Sequence, residues 1–266
     1  MKPKKYLGQN FLINEKIIPQ IIEAAEISKD DTIIEVGPGL GILTEALLKG
    51  GVKVFAIEKD FELIAGLTKK FGSNKKLKIV HQDALFFDET MVGPYKVVAN
   101  LPFNVASPLI RKFLESQTPP ALMVVMIQKE VAEKILAKPG DSERGVLTLS
   151  VEFYADSKKV AEVPRNSFRP QPNVDATIIK IKPFPHLAGA EKKVEPKLFF
   201  RIVKAGFSSK RQQIHNSLAA TLRMPKDEVL ELLKKAKIDP IKRAEDLTLG
   251  QWLDLCWSYK KISASN

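Results

Sequence analysis

Between Thr32 and Phe184, short β-branched runs alternate with stretches whose apolar residues recur at helical spacing. The runs TIIEVG, VKVFAIE, LKIVHQD, YKVVANL, ALMVVMIQ, VLTLSVEFY and ATIIKIKPF read as strands. Their near-continuous apolar character suits a sheet covered on both faces. Between them ILTEALLKG, DFELIAGLTKKF, SPLIRKFLESQ and KEVAEKILA read as helices. A βαβα series of this length predicts an α/β fold with a mainly parallel, doubly wound sheet. The last two runs lack an intervening helix, which predicts an antiparallel pair at the sheet edge. Pro19 interrupts the helical stretch from Asn14 to Ala25, so a kink or a late helix start is expected there.

The strand signal ends at PFPHLAGAEKKVEP, a linker pattern near residues 183–196. PKLFFRIVKAGF, KRQQIHNSLAATL, KDEVLELLKKA and LGQWLDLCWSY then all carry helical periodicity. The expected division is a domain over 1–184 followed by a small helical domain over 185–266. Charge follows the same division, because residues 185–266 hold 16 Lys/Arg against 9 Asp/Glu and so carry +7 of the formal +11. Such an excess suits a polyanion partner bound through counterion release, and equally a solvated surface. Cys256, the single cysteine, sits in the apolar stretch WLDLCW and reads as a buried thiol, leaving no disulfide or cysteine metal site. No apolar run approaches the roughly 18 residues of a spanning helix, and MKPKKYLGQNFL lacks a secretory pattern. A cytoplasmic protein without membrane contact is expected, and a monomer, since no long coiled-coil stripe is evident.

EVGPGLGILTEAL places Gly37, Gly39 and Gly41 between a predicted strand and a predicted helix, where missing Cβ atoms let a ligand approach the backbone. Ile42 stands where dinucleotide folds prefer their third glycine, which argues against a pyrophosphate ligand. Glu58 ends the second predicted strand, where a carboxylate can accept hydrogen bonds from two ribose hydroxyls; an exposed strand-end acid is the other reading. Asp83 ends the third and can accept from an adenine's exocyclic amine. Ligands of open α/β sheets bind at these carboxyl ends. The set points to a nucleoside cofactor without phosphates, which S-adenosylmethionine fits.

The fourth predicted strand ends in Asn100-Leu101-Pro102-Phe103, matching the pattern of amine methyltransferases in which Asp, Asn or Ser is followed by any residue, then Pro, then Tyr or Phe. An adenine amine is a poor nucleophile because its lone pair is delocalised into the ring. The Asn100 side-chain carbonyl and the Leu101 backbone carbonyl can each accept one of its N–H groups and localise that pair. Pro102 fixes the backbone, and Phe103 offers a stacking face for a flipped base. Catalysis would then rest on positioning and electrostatics, without a dedicated base. The plain alternative is a strand-terminating turn with a buried Phe.

KYLGQNFL, EVGPGLGILT, IEKD, QDAL, NLPFN, SFRPQPNVDA, FSSKRQQIHNSL and RAEDLTLGQWLDL together resemble, in order and over nearly the whole chain, the KsgA-type ribosomal RNA adenine dimethyltransferases. The resemblance implies a Rossmann-like class I methyltransferase domain with a small all-helical C-terminal domain. It implies dimethylation of adenines in small-subunit ribosomal RNA within a pre-ribosomal small subunit, and it adds Asn10 and Leu12 to the cofactor site. It also implies that Phe168 is a second aromatic wall for the target base, although the residues alone make Phe168 a core side chain. Bacterial members commonly carry tyrosine where this chain has Phe103. Lys210 and Arg211, at the start of a predicted helix, are candidates for phosphate contact or ordinary surface charge, as are Lys4 and Lys5. Rival readings are the macrolide-resistance methyltransferase of large-subunit RNA, a derived mitochondrial transcription factor, and a small-molecule amine methyltransferase. The two C-terminal blocks argue against the first, the intact NLPF against the second, and the basic tail against the third.

Overall fold

The computed structural model describes residues 4, 8–185 and 194–263, so Lys5 and residues 186–193 of the expected linker lie outside the described residues. The chain forms two compact units, residues 1–132 with 156–183 and residues 133–155 with 184–266. In order come β1 (Phe11–Leu12), α1 (Ile18–Ala24), β2 (Thr32–Val36), α2 (Ile42–Lys49), β3 (Lys53–Glu58), α3 (Phe61–Phe71), β4 (Leu77–His81), β5 (Lys96–Asn100), α4 (Ala106–Glu115) and β6 (Met123–Gln128). They are followed by α5 (Lys129–Leu136), α6 (Val146–Glu152), β7 (Ala155–Val163), β8 (Phe168–Arg169) and β9 (Ala176–Pro183).

The main sheet has the order β4-β3-β2-β5-β6-β9-β7; β2 to β6 are parallel and β9 runs antiparallel to β6. Ile33, Ile34, Val97, Val98, Val124 and Val125 are fully buried, as the apolar runs demand. Each such side chain contributes roughly 1.5–3 kcal/mol through removal from water. Strand order reverses between β2 and β5, with β3 and β4 on one side and β6 on the other. A crevice therefore opens beyond the carboxyl ends of β2 and β5. α1 begins at Ile18 with Pro19 in its first turn, the late start that the missing proline N–H favours.

One predicted strand is a helix. VLTLSVEFY forms α6, whose first turn is closed by the Gly145 N–H donating to Thr148 Oγ1 at 3.0 Å. Thr148, Leu149, Ser150 and Val151 are all buried, so no polar face marks the helical period, and packing overrides the β preference of its valines. The outer strand is instead β7, ADSKKVAEV, whose exposed Lys158 and Lys159 suit a sheet edge.

The second unit adds α7 (Pro196–Gly206), α8 (Ile214–Leu222), α9 (Lys226–Lys235) and α10 (Leu249–Ser263). Leu149 and Phe153 join Phe199, Ile202, Leu218, Leu232 and Trp252 in its core, with the Phe153 and Phe199 rings stacked at 4.3 Å. A single boundary at 184/185 would leave residues 133–155 in the first unit, whereas this packing places them in the second. Arg144, fully buried, reinforces the grouping through two 2.7 Å bonds to Glu152 and donations to the Ala137 and Leu247 carbonyls. Cys256 is buried there, and burial pushes its thiol up to about 12.

Candidate active site

A cavity of about 290 Å³ lies in the first unit, lined by residues from the ends of β1, β2, β3 and β5 and from the turn after β4. It brings together Asn10, Leu12, Gly37, Gly39, Glu58, Asp83, Asn100, Leu101, Pro102 and Phe103, residues from five separate stretches of sequence.

The loop between β2 and α2 turns on three left-handed glycines, with φ of 67° at Gly37, 58° at Gly39 and 78° at Gly41. Space is as short as conformation. A Cβ on Gly37 would lie 3.4 Å from Pro102 Cγ, on Gly39 3.0 Å from Phe11 Cδ1, and on Gly41 2.6 Å from Phe71 Cε2. Neighbouring protein atoms, and not only a ligand, thus require these glycines.

Glu58 Oε1 accepts the Lys59 and Asp60 N–H groups at 2.9 Å each. Burial pushes this carboxyl up, against those N–H donors and that of Gly39. Asp83 Oδ1 accepts from Leu85 N at 3.0 Å and its Oδ2 lies 2.7 Å from the Lys59 ammonium. The Lys59 hydrogen bond holds the Asp83 carboxyl below its ordinary value. Glu35, absent from the sequence-based candidates, also lines the cavity. It is 1% exposed, accepts the Thr44 hydroxyl at 2.7 Å, and is pushed up to about 8 by burial.

At the end of β5 the Asn100 amide nitrogen donates to the Asn10 carbonyl at 3.3 Å. This fixes the orientation of the amide. Its oxygen, Oδ1, is buried and has no hydrogen-bond partner among the described residues. A buried carbonyl without a donor costs about 1–3 kcal/mol, and this one belongs to a residue that lines the cavity. Leu101 is held by its N–H donating to the Met126 carbonyl at 3.1 Å.

Phe168 is 3% exposed and packs with the core of the first unit, as the residues without the resemblance suggested. Its ring nevertheless meets that of Phe103 edge-on, with centroids 6.1 Å apart and planes at 66°. β8 also pairs Phe168 with Leu12, which joins the FRPQP block to the N-terminal block. Lys4 is engaged by Asp60 at 2.7 Å and Glu62 at 3.1 Å. Lys210 and Arg211 are exposed on the second unit, in the turn before α8 and not on the helix. α8 starts only at Ile214 because Gln213 is extended and bridges to Arg243.

A family model described as ribosomal RNA adenine dimethylase matches residues 1–261. The chain belongs to this family. As a ribosomal RNA adenine dimethylase it is a methyltransferase, and its Rossmann-like class I fold agrees. Ribosomal RNA small subunit methyltransferase A of Dehalococcoides mccartyi is 44% identical to this chain over 264 residues, covering 97% of it and 89% of the relative. The protein of that name from Clostridioides difficile is 42% identical over 260 residues, covering 94% and 89%. Among solved structures, a dimethyladenosine transferase from Plasmodium falciparum is 28% identical with a TM-score of 0.82, covering 95% of this chain and 98% of that one. The 23S rRNA methyltransferase ErmE is 27% identical with a TM-score of 0.72, covering 94% and 100%.

Proposed function

We propose that the protein transfers methyl groups from S-adenosylmethionine to the exocyclic amines of two adjacent adenines in small-subunit ribosomal RNA. The observation that carries this reading is the unpartnered Asn100 Oδ1 in the cavity wall. When bound, S-adenosylmethionine supplies an electrophilic methyl group on a sulfonium. The residues present fit it: Glu58 would take the ribose hydroxyls and Asp83 the adenine amine. Asn10, Leu12, Gly37 and Gly39 would form the remaining walls.

Asn100 Oδ1 and the Leu101 carbonyl accept the two N–H groups of the target amine, which localises the nitrogen lone pair. Pro102 stiffens the turn and Phe103 stacks on the base, with Phe168 as the second aromatic. For a base to lie between the two rings, their present edge-on contact has to open. Lys210 and Arg211 contact RNA phosphates, whereas Lys4 has carboxylate partners of its own. The small-subunit assignment follows the 40–44% identical relatives over the more distant large-subunit enzyme. The protein acts as a monomer in the cytoplasm, on pre-ribosomal small subunits.

The test incubates labelled S-adenosylmethionine with unmethylated small subunits, large subunits or free adenosine. Label in dimethyladenosine of the small subunit is expected, and labelling of the other substrates in its place would overturn the reading. Asn100→Ala should lower transfer by about 10²-fold or more, the scale for removing one preorganised polar group that faces a reacting atom. Its melting temperature should stay near that of the wild type.

A further inference from the structure

Residues 8–12 line the cavity and are fastened on both sides. On the C-terminal side Phe11 and Leu12 pair with Arg169 and Phe168, and the Ile13 N–H donates to the Ser167 carbonyl at 2.8 Å. On the N-terminal side the Gln9 amide nitrogen donates to Asp60 Oδ2 at 2.8 Å and the Lys4 ammonium lies 2.7 Å from Asp60 Oδ1. Gln9 and Lys4 are themselves joined, since the Lys4 N–H donates to Gln9 Oε1 at 2.7 Å. Asp60 is 4% exposed, so its bonds form largely out of water, where charge-assisted contacts are strong. Burial alone would push its carboxyl up, yet the bonds from Lys4, Gln9 and the Glu62 N–H bring it below its ordinary value.

Two links run from this fastening to the chemistry. The Asp60 N–H donates to Glu58 Oε1 at 2.9 Å, two residues before it in sequence. At the other link, the Asn10 carbonyl receives the Asn100 amide nitrogen, which leaves Oδ1 without a donor and so, on the proposed function, as the acceptor for the target amine. Gly8 sits so close to the turn after β5 that a Cβ there would be 2.7 Å from Asn104 Oδ1. If residues 8–12 withdraw, the cavity loses a wall and Asn100 loses its guide together.

We propose that Asp60, through Gln9 and Lys4, latches residues 8–12 against the cofactor cavity and so positions both the cofactor and the Asn100 acceptor. Asp60 is a positioning residue: it acts through Glu58 and through the 8–12 segment. The proposal rests on the reading of the cavity as the S-adenosylmethionine site.

The test compares the wild type with a Lys4→Ala, Gln9→Ala double variant, which leaves the Asp60 cap of α3 untouched. Asp60→Asn and Lys4→Arg serve as second and rescue variants. S-adenosylhomocysteine affinity is measured by calorimetry, amide hydrogen exchange is followed over residues 9–13, and kcat is measured on unmethylated small subunits. The double variant should bind about tenfold more weakly, on the scale of removing hydrogen bonds to a charged group. It should exchange faster over 9–13, while α3 keeps its protection, and kcat should fall as Asn100 loses its orientation. Lys4→Arg should retain much of the wild-type affinity. Wild-type affinity, exchange and kcat in both the double variant and Asp60→Asn would overturn the latch while leaving the cofactor reading intact. A wild-type protein that binds no S-adenosylhomocysteine would overturn both.

Discussion

Glu35 is a buried carboxyl hydrogen-bonded to Thr44, and its replacement by glutamine makes a quantitative test of the site's electrostatics. Burial, with a smaller contribution from Glu58, pushes it from an ordinary 4.5 up to about 8. Between these values the unfolded chain releases a proton that the folded chain retains. Unfolding is therefore favoured progressively, and stability falls as pH rises through the window. Below about 4.5 both states are protonated and the effect vanishes; above about 8 it levels off. Each pH unit inside the window costs about 1.4 kcal/mol, so between pH 5.5 and 7.5 the wild type should lose about 3 kcal/mol relative to a side chain that does not titrate. Glutamine keeps the shape and still offers an oxygen to the Thr44 hydroxyl. Thermal melts of wild type and Glu35→Gln at matched pH cancel the other titrating groups. The variant's advantage should grow over that interval by roughly 6–12 °C, at about 2–4 °C per kcal/mol for a chain of this size. Parallel pH profiles would refute the reasoning, because they would mean that Glu35 is already ionised in the folded protein.

Phe103→Leu should reduce transfer to ribosomal RNA by about 10–100-fold, since base–aromatic stacking contributes about 1–3 kcal/mol; an unchanged rate would show that the base is held elsewhere. Gly41→Ala should destabilise the first unit by about 1–3 kcal/mol, because it combines a left-handed backbone with a Cβ 2.6 Å from Phe71. Gly66→Ala, with nothing within 4 Å of its added Cβ inside α3, should raise stability by about 0.5–1 kcal/mol in the same denaturation assay. Replacing Lys210 and Arg211 with alanine should weaken RNA binding and flatten its salt dependence, by about one unit of log–log slope for each phosphate no longer neutralised. An unchanged slope would remove both from the RNA interface.

Several features follow from local sequence alone. β2, β3, β5 and β6 were legible because buried parallel strands must be apolar throughout, and the late start of α1 because Pro19 lacks an N–H. Gly37, Glu58, Asp83 and Asn100 were found because a parallel sheet brings successive strand ends to one edge, so residues at those ends share a crevice. Asn10 and Leu12 carried no such signal. Their place in the cavity depends on the pairing of β1 with β8, strands more than 150 positions apart in the chain.

Where local pattern and packing conflict, packing decided. VLTLSVEFY packs as α6 into the second unit's core, with Thr148 to Val151 all buried so that no polar face marks its period, and the polar ADSKKVAEV took the sheet edge. Lys210 and Arg211 precede α8 because Gln213 is drawn into a bridge with Arg243. Glu35 gave a local clue, an acid inside an apolar strand, but its raised pKa depends on what surrounds it in space. Asp60 caps α3 through a local bond to the Glu62 N–H, whereas Lys4 and Gln9 reach it only through the fold. By itself the sequence determined strand ends, turn chemistry and reactive groups, which depend on neighbours along the chain. Which acceptor is left without a donor, which carboxyl is desolvated and which segment walls the cavity are set by distant neighbours, and only the tertiary structure decided them.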